Sequence, residues 1–136
     1  MCDTLALRDS GWIQFYCENN QEVLDTMLMA WRIAEAHRVL LPALVCQDAF
    51  VLSHTMMMTD LADQETVDAF LPPLDLPHRV TDVPRTIGGL DFPHEAEIHR
   101  RQHAEAMQRV PEVYREVQDE FEKAFGRRPA DAIVGY

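Results

Sequence analysis

Cysteine is scarce in this sequence: Cys2, Cys17 and Cys46 are the only three, and no two of them stand in a CxxC spacing. An odd, scattered set excludes a disulfide framework and a zinc or iron–sulfur ligand group, and it fits a reduced intracellular interior. Cys17 and Cys46 lie in apolar runs and read as small buried hydrophobes. Long hydrophobic runs are missing too: no stretch approaches the ~20 residues of a bilayer span, so this is not an integral membrane protein. Positive charge is also low, with 12 Lys and Arg against 23 Asp and Glu and a formal net charge of -11. Such a chain repels backbone phosphates, and Arg100-Arg101 and Arg127-Arg128 are too small to reverse this, which excludes nucleic acid as a partner. Residues 1–10 show no basic segment followed by an apolar one, so a cytoplasmic location is expected rather than secretion.

What is present centres on residues 11–55, which read as one strand, helix, strand unit. Residues 12–17 form an aromatic-rich apolar run of strand length, and it stops at Glu18-Asn19-Asn20, residues that favour turns and caps. Asn20 is the predicted N-cap of a helix. Its apolar positions Val23, Leu24, Met27, Leu28, Trp31 and Ala34 keep the spacing of one face, expected to lie on the sheet with Trp12 and Trp31 as core anchors. Residues 39–46 are apolar without a break, as in a buried parallel strand; Pro42 donates no ladder hydrogen bond, which puts the regular strand at residues 43–46. Two parallel strands joined by a helix form the βαβ crossover of layered α/β folds. Ligands of such sheets bind beyond the carboxyl ends of the strands, so residues 18–21 and 47–55 are the expected functional rim.

The remaining chain is less regular. Residues 1–10 read as an irregular lead-in, and the abrupt start ahead of a core strand implies that further strands come from elsewhere. Residues 60–70 are expected to form a short acidic helix that Pro72-Pro73 ends. Met56-Met57-Met58 reads as a soft apolar contact with a neighbouring surface. Residues 72–94, with Pro72, Pro73, Pro77, Pro84, Pro93 and Gly88-Gly89, form a proline-rich linker and a domain boundary. From Glu95 a long helix is predicted, in which Met107, Val110, Tyr114, Val117, Phe121 and Ala124 make one packing face. Pro111 is expected to kink or split it, and Gly126 with Pro129 to stop it. Residues 130–136 read as the first strand of another domain, an exposed edge unless it is paired.

Chemistry-bearing residues gather on the rim, where Asp48, Ser53 and His54 form a Ser, His and Asp set. Ser53 and His54 are adjacent, and neither a GxSxG turn nor an oxyanion donor accompanies them, so loop hydrogen bonding is favoured over nucleophilic catalysis. Glu18, at a strand end, is expected in helix-start chemistry or in contact with a neighbouring domain. His99 and His103 share a helix face at ligand spacing, but Arg100 and Arg101 between them disfavour a dication. No catalytic or metal-ligating residue is assigned; Glu18, Asp48, Ser53 and His54 stand as rim or interface positions.

Three motifs, Arg8-Asp9-Ser10-Gly11-Trp12, Glu18-Asn19-Asn20-Gln21-Glu22 and Phe125-Gly126-Arg127, sit within a similarity that runs along nearly the whole chain. The sequence resembles the α subunit of 2-oxoacid:ferredoxin oxidoreductases, pyruvate:ferredoxin oxidoreductase above all. The resemblance implies an α/β fold with a partial layered parallel sheet of the thiamine-diphosphate-binding kind, a long linker and a C-terminal amphipathic helix. Residues 1–71 would be the C-terminal part of a pyrimidine-binding-like domain, and residues 95–136 the helix and first strand of a following domain. It further implies oxidative decarboxylation of a 2-oxoacid to acyl-coenzyme A, with electrons passed to ferredoxin. Thiamine diphosphate with magnesium would belong to the complete enzyme, and iron–sulfur clusters to other domains or subunits. The family's pyrimidine-activating glutamate and its oxoacid-binding arginine and threonine would lie upstream of Arg8. The chain alone is therefore expected to bind no cofactor and to be inactive, with the other subunits, ferredoxin and coenzyme A as partners in an oligomer. Asp48-Ala49-Phe50 departs from the family's Asp-Gly-Phe, and Thr55-Met56-Met57 from its Thr-Val-Glu. Without the resemblance, the same elements describe a stand-alone, non-catalytic α/β interaction module.

Overall fold

Strands β1 (Ile13–Tyr16) and β2 (Ala43–Cys46) run parallel, pairing Ile13 with Ala43 at one end and Tyr16 with Cys46 at the other. They belong to a computed structural model that describes residues 2–79, 81–84, 87–88 and 90–131. The helices are α1 (Cys2–Leu5), α2 (Asn20–Ala34), which joins the two strands, α3 (Gln64–Phe70) and the long α4 (Pro93–Phe125). This is the expected α/β arrangement, with the second strand at the predicted residues.

The lead-in is not irregular throughout: α1 and a 3-10 turn at Arg8–Ser10 occupy it. Neither carries an amphipathic stripe that a sequence pattern could show. Bonds from β1 fix α1 instead, the Gln14 side chain donating to the Thr4 carbonyl and the Tyr16 hydroxyl meeting Thr4 Oγ1, while the 3-10 turn is held locally by the Ser10 N–H and hydroxyl donating to the Leu7 carbonyl.

The start and the face of α2 both differ from expectation. Asn19, not Asn20, is the N-cap: it is extended, and its Oδ1 accepts from the Glu22 N–H at 2.9 Å. The Glu22 carboxylate in turn accepts from the Glu18 N–H, one residue ahead of the cap, and ties the preceding turn to the first turn of the helix. The buried face consists of Asp25, Met29, Ala30 and Ile33. Trp31 is 55% exposed, Met27 44% and Trp12 42%, so the two tryptophans are not core anchors. The bulky apolar positions lie on a face rotated from the one that Met29 and Ile33 define; of them Leu28 packs against the core, and Val23, Leu24 and Ala34 are half-buried. What decided the matter is α4, which packs against the Met29 and Ile33 side.

That packing is dense. Met29 and Ile33 share a core with Ile13 of β1, Val113, Val117 and Phe121 of α4, and Phe70 of α3. Phe70 meets the Phe121 and Phe125 rings edge-on, with centroids 5.5 and 5.3 Å away. α4 runs unbroken through Pro111, so of the two outcomes expected there, a kink or a split, the split does not occur. Proline costs an interior helix about 3 kcal/mol, and the burial of Val110 and Val113 on either side offsets that. Val113 and Gln118 are buried whereas Ala124 is exposed, which shifts the predicted packing face slightly. The helix begins at Pro93, two residues before Glu95, whose carboxylate accepts from the Phe92 N–H. Gly126 closes it at φ 69, a left-handed conformation suited to glycine. Likewise α3 is shorter than expected, because Asp63 caps it through the Thr66 N–H. The strand expected within residues 130–136 falls mostly on residues 132–136, outside the described residues.

Candidate functional site

The carboxyl ends of β1 and β2 finish level, and one further ladder bond, from the Cys17 N–H to the Cys46 carbonyl, extends the pair before the chains diverge. Beyond this point lie residues 18–21 on one side and the loop of residues 47–63 on the other. The first turn of α2 ties that loop down. Asn20 Nδ2 donates to the Thr55 carbonyl at 3.0 Å. Gln21 Oε1 accepts from the Asp60 N–H at 2.6 Å, while its Nε2 donates to the Asp60 carbonyl and to Asp25 Oδ1. The two segments read as a rim are thus joined directly by Asn20 and Thr55, and Gln21 holds the same loop again at Asp60, just past the second segment.

Glu18 is exposed on this rim. Asp48 is half-buried, and its carbonyl accepts from the Leu52 N–H. Ser53 Oγ lies 3.1 Å from the Ala49 carbonyl and 2.8 Å from His54 Nδ1, while the His54 ring stacks on Phe50. Among the described residues no hydrogen bond or ion pair joins Asp48 to His54, so the imidazole has no acid to orient it. This is the geometry of a loop-stabilising contact, because a serine nucleophile needs an oriented base and an oxyanion hole. His99 and His103 have separate partners: His99 faces Asp91 at 3.7 Å, and His103 Nε2 donates to the Gly11 carbonyl at 2.8 Å. Among the described residues no three His, Cys, Asp or Glu side chains are grouped to hold a metal.

The sequence pattern gave no warning of a buried ion pair beneath the rim. Arg127 forks onto Asp25, Nη2 to Oδ1 at 2.7 Å and Nε to Oδ2 at 3.0 Å, and its Nη1 reaches Asp60 Oδ2 at 3.2 Å. Asp25 is 5% exposed. The guanidinium also lies 5.6 and 5.7 Å from the centroids of Phe121 and Phe125. Its hydrogen bond to Asp25 raises the Arg127 pKa against the opposing effect of burial. A signal existed in retrospect, since Arg127 belongs to one of the three motifs and Asp25 interrupts an apolar helix. Nearby, the buried Gln118 donates to the Pro129 and Ala130 carbonyls and to Asp131, strapping the chain back along α4.

Comparison with known proteins places this arrangement. The profile of the family described as Pyruvate flavodoxin/ferredoxin oxidoreductase, thiamine diP-bdg, matches residues 1–119. The chain belongs to this family. It is 48% identical over 128 residues to the pyruvate synthase subunit PorA of Pyrococcus furiosus, covering 93% of this chain and 32% of that protein. The PorA subunit of Methanocaldococcus jannaschii is 41% identical, over 97% of this chain and 34% of its own length. The ketoisovalerate oxidoreductase subunit VorA of Pyrococcus horikoshii is 42% identical, over 98% of this chain and 34% of its own length. The chain spans about a third of the length of these relatives.

The family's thiamine diphosphate poses a test of the rim's donor set. Residues 18–21 and 47–55 present carboxylates, amides and hydroxyls but neither lysine nor arginine. Arg127, the cation nearest in the bonding network, is taken up by Asp25 and Asp60. With no free cation and no grouped metal ligands, the described rim does not fit the diphosphate and metal end of that cofactor.

Proposed function

We propose that this chain is part of the α subunit of a 2-oxoacid:ferredoxin oxidoreductase, forming one wall of a site that other parts of the enzyme complete. The observation that carries this reading is the family match over residues 1–119, which includes both strands, the joining helix and the rim at the carboxyl ends of the strands. Pyruvate is the proposed oxoacid, since the relatives at 48% identity are pyruvate synthase subunits. The proposed reaction is oxidative decarboxylation to acyl-coenzyme A, with thiamine diphosphate and magnesium held mainly by other segments. Ferredoxin would receive the electrons through iron–sulfur clusters on other domains or subunits, in a cytoplasmic oligomer. Glu18, Asp48, Ser53 and His54 serve as rim or interface residues in this reading, and residues 72–94 divide an α/β portion from the segment that begins the next domain.

The test is dye reduction that depends on a 2-oxoacid, with thiamine diphosphate, magnesium and coenzyme A supplied. We expect no turnover from the purified chain. A chimeric Pyrococcus furiosus subunit carrying this chain in place of its matching third, assembled with its natural partners, should turn over and prefer pyruvate. Turnover by the isolated chain, or an assembled chimera that is inert, would overturn the reading.

A further inference from the structure

Phe50, Val51, Met56, Met57, Met58 and Leu61 are all exposed, Met56 at 100% and Met58 at 99%. Single exposed apolar residues are ordinary on a protein surface, but six large ones within twelve consecutive positions mark an interaction surface. The charge of the same stretch is one-sided. Residues 47–68 contain Asp48, Asp60, Asp63, Glu65 and Asp68 and no lysine or arginine. Asp60 shares Arg127 with Asp25, and the other four have no basic partner among the described residues.

The backbone under the methionines is not loose. Asn20 holds it at Thr55 and Gln21 holds it at Asp60, so three bulky side chains stand out from a span fixed at both ends. Fixing the span beforehand reduces the ordering cost of association. Methionine itself is unbranched and polarizable, and it moulds to varied apolar partners.

Charge selects the occupant. A second copy would set carboxylates against carboxylates, and an anionic lipid surface would be repelled in the same way. An amphipathic helix with a basic border satisfies both features, laying its apolar face on the methionines and its lysines or arginines on the acids. We propose that Met56-Met57-Met58, with Phe50 and Leu61, forms a docking surface for a basic amphipathic helix of another polypeptide. The inference stands on exposure, anchoring and charge and does not depend on the oxoacid reading.

The probe is a fluorescein-labelled helical peptide of leucine and lysine, about five turns long, with a leucine and glutamate peptide as its counterpart. Fluorescence anisotropy with the full chain should show saturable one-to-one binding of the lysine peptide and none of the glutamate peptide. Met56→Ser/Met58→Ser leaves every charge in place and should weaken binding about ten-fold. Because both side chains are exposed, the variant should keep the far-ultraviolet circular dichroism of the parent. A second readout needs no variant: the peptide should slow peroxide oxidation of Met56 and Met58 to the sulfoxide, followed by mass spectrometry. Equal binding by the serine variant would reduce the attraction to charge alone and overturn the proposal. Failure of the lysine peptide to bind would do the same, as would light scattering that shows a dimer abolished by the serine substitutions, which would make a second copy the occupant.

Discussion

Arg127 and Asp25, 102 residues apart in sequence, meet in a two-pronged ion pair, with Nη2 2.7 Å from Oδ1 and Nε 3.0 Å from Oδ2. The pair fastens the exit of α4 to the middle of α2, and through Asp60 and Gln21 it also fixes the far end of the rim loop. Asp25 is buried while Arg127 retains some exposure, so removing the arginine strands a carboxylate out of water. Arg127→Ala should destabilise the chain by about 3 kcal/mol in a urea titration, near the low end for a buried pair. The double variant Asp25→Asn/Arg127→Ala should lose clearly less than the sum of the two single losses. Strict additivity would mean that the two residues do not act as a pair.

Gly11 carries a second long-range constraint. It adopts φ 84, and a Cβ built on it would stand 2.5 Å from His103 Nε2, the atom that donates to its own carbonyl. Gly11→Ala therefore meets both backbone strain and a steric clash, together about 3 kcal/mol. Adding His103→Ala removes the clash and leaves the strain, so the double variant should be more stable than Gly11→Ala alone. A stability order with the double variant lowest would show that the hydrogen bond, and not the close approach, dominates there.

The corrected face of α2 gives a direct comparison. Ile33 is 0% exposed and Trp31 55%. Ile33→Ala should cost about 2 to 5 kcal/mol, the range for truncation in a packed core. Trp31→Ala should cost well under half of that in the same chain, despite the larger side chain. If the tryptophan truncation proves the more damaging, the face first read from the bulky apolar spacing is the buried one after all.

Strands β1 and β2, their parallel pairing and the C-terminal stop at Gly126 were legible because each follows from local chemistry: an apolar run, a proline, a turn cluster, a left-handed glycine. The errors arose where tertiary contacts choose between local options. Asn19 and Asn20 are both competent caps, and the choice falls on Asn19 because Asn20 is drawn to Thr55, 35 residues away. Pro111 would break an isolated helix, yet α4 continues because its flanking valines are buried against α2 and β1. Asp25 within an apolar helix and Arg127 within a motif are each visible in the sequence, but charge patterning along one helix carries no information about a partner 102 residues away, just past the end of α4. At the rim, sequence spacing brought Ser53 and His54 together correctly but could not show that Asp48 stays apart from them.

Alkaline pH supplies the last test. Burial raises the Cys17 thiol pKa, with Thr26 opposing the shift and the Glu22 charge adding to it. Burial likewise raises the Tyr114 phenol pKa, reinforced by the charges of Glu22 and Asp131. Both groups are neutral when protonated, and each holds its proton more tightly in the folded chain than in the unfolded one. Their contribution is therefore complete below the unfolded values, about 8.5 for a thiol and about 10 for a phenol. It is lost as pH rises from there through the folded values, because the unfolded chain releases its protons first. The urea midpoint should be level up to about pH 8 and decline above it. Cys17→Ala should flatten the earlier part of that decline and leave the later, tyrosine part in place. A midpoint unchanged across the alkaline range, or a decline identical in the alanine variant, would show that the Cys17 thiol is not held in a desolvated site.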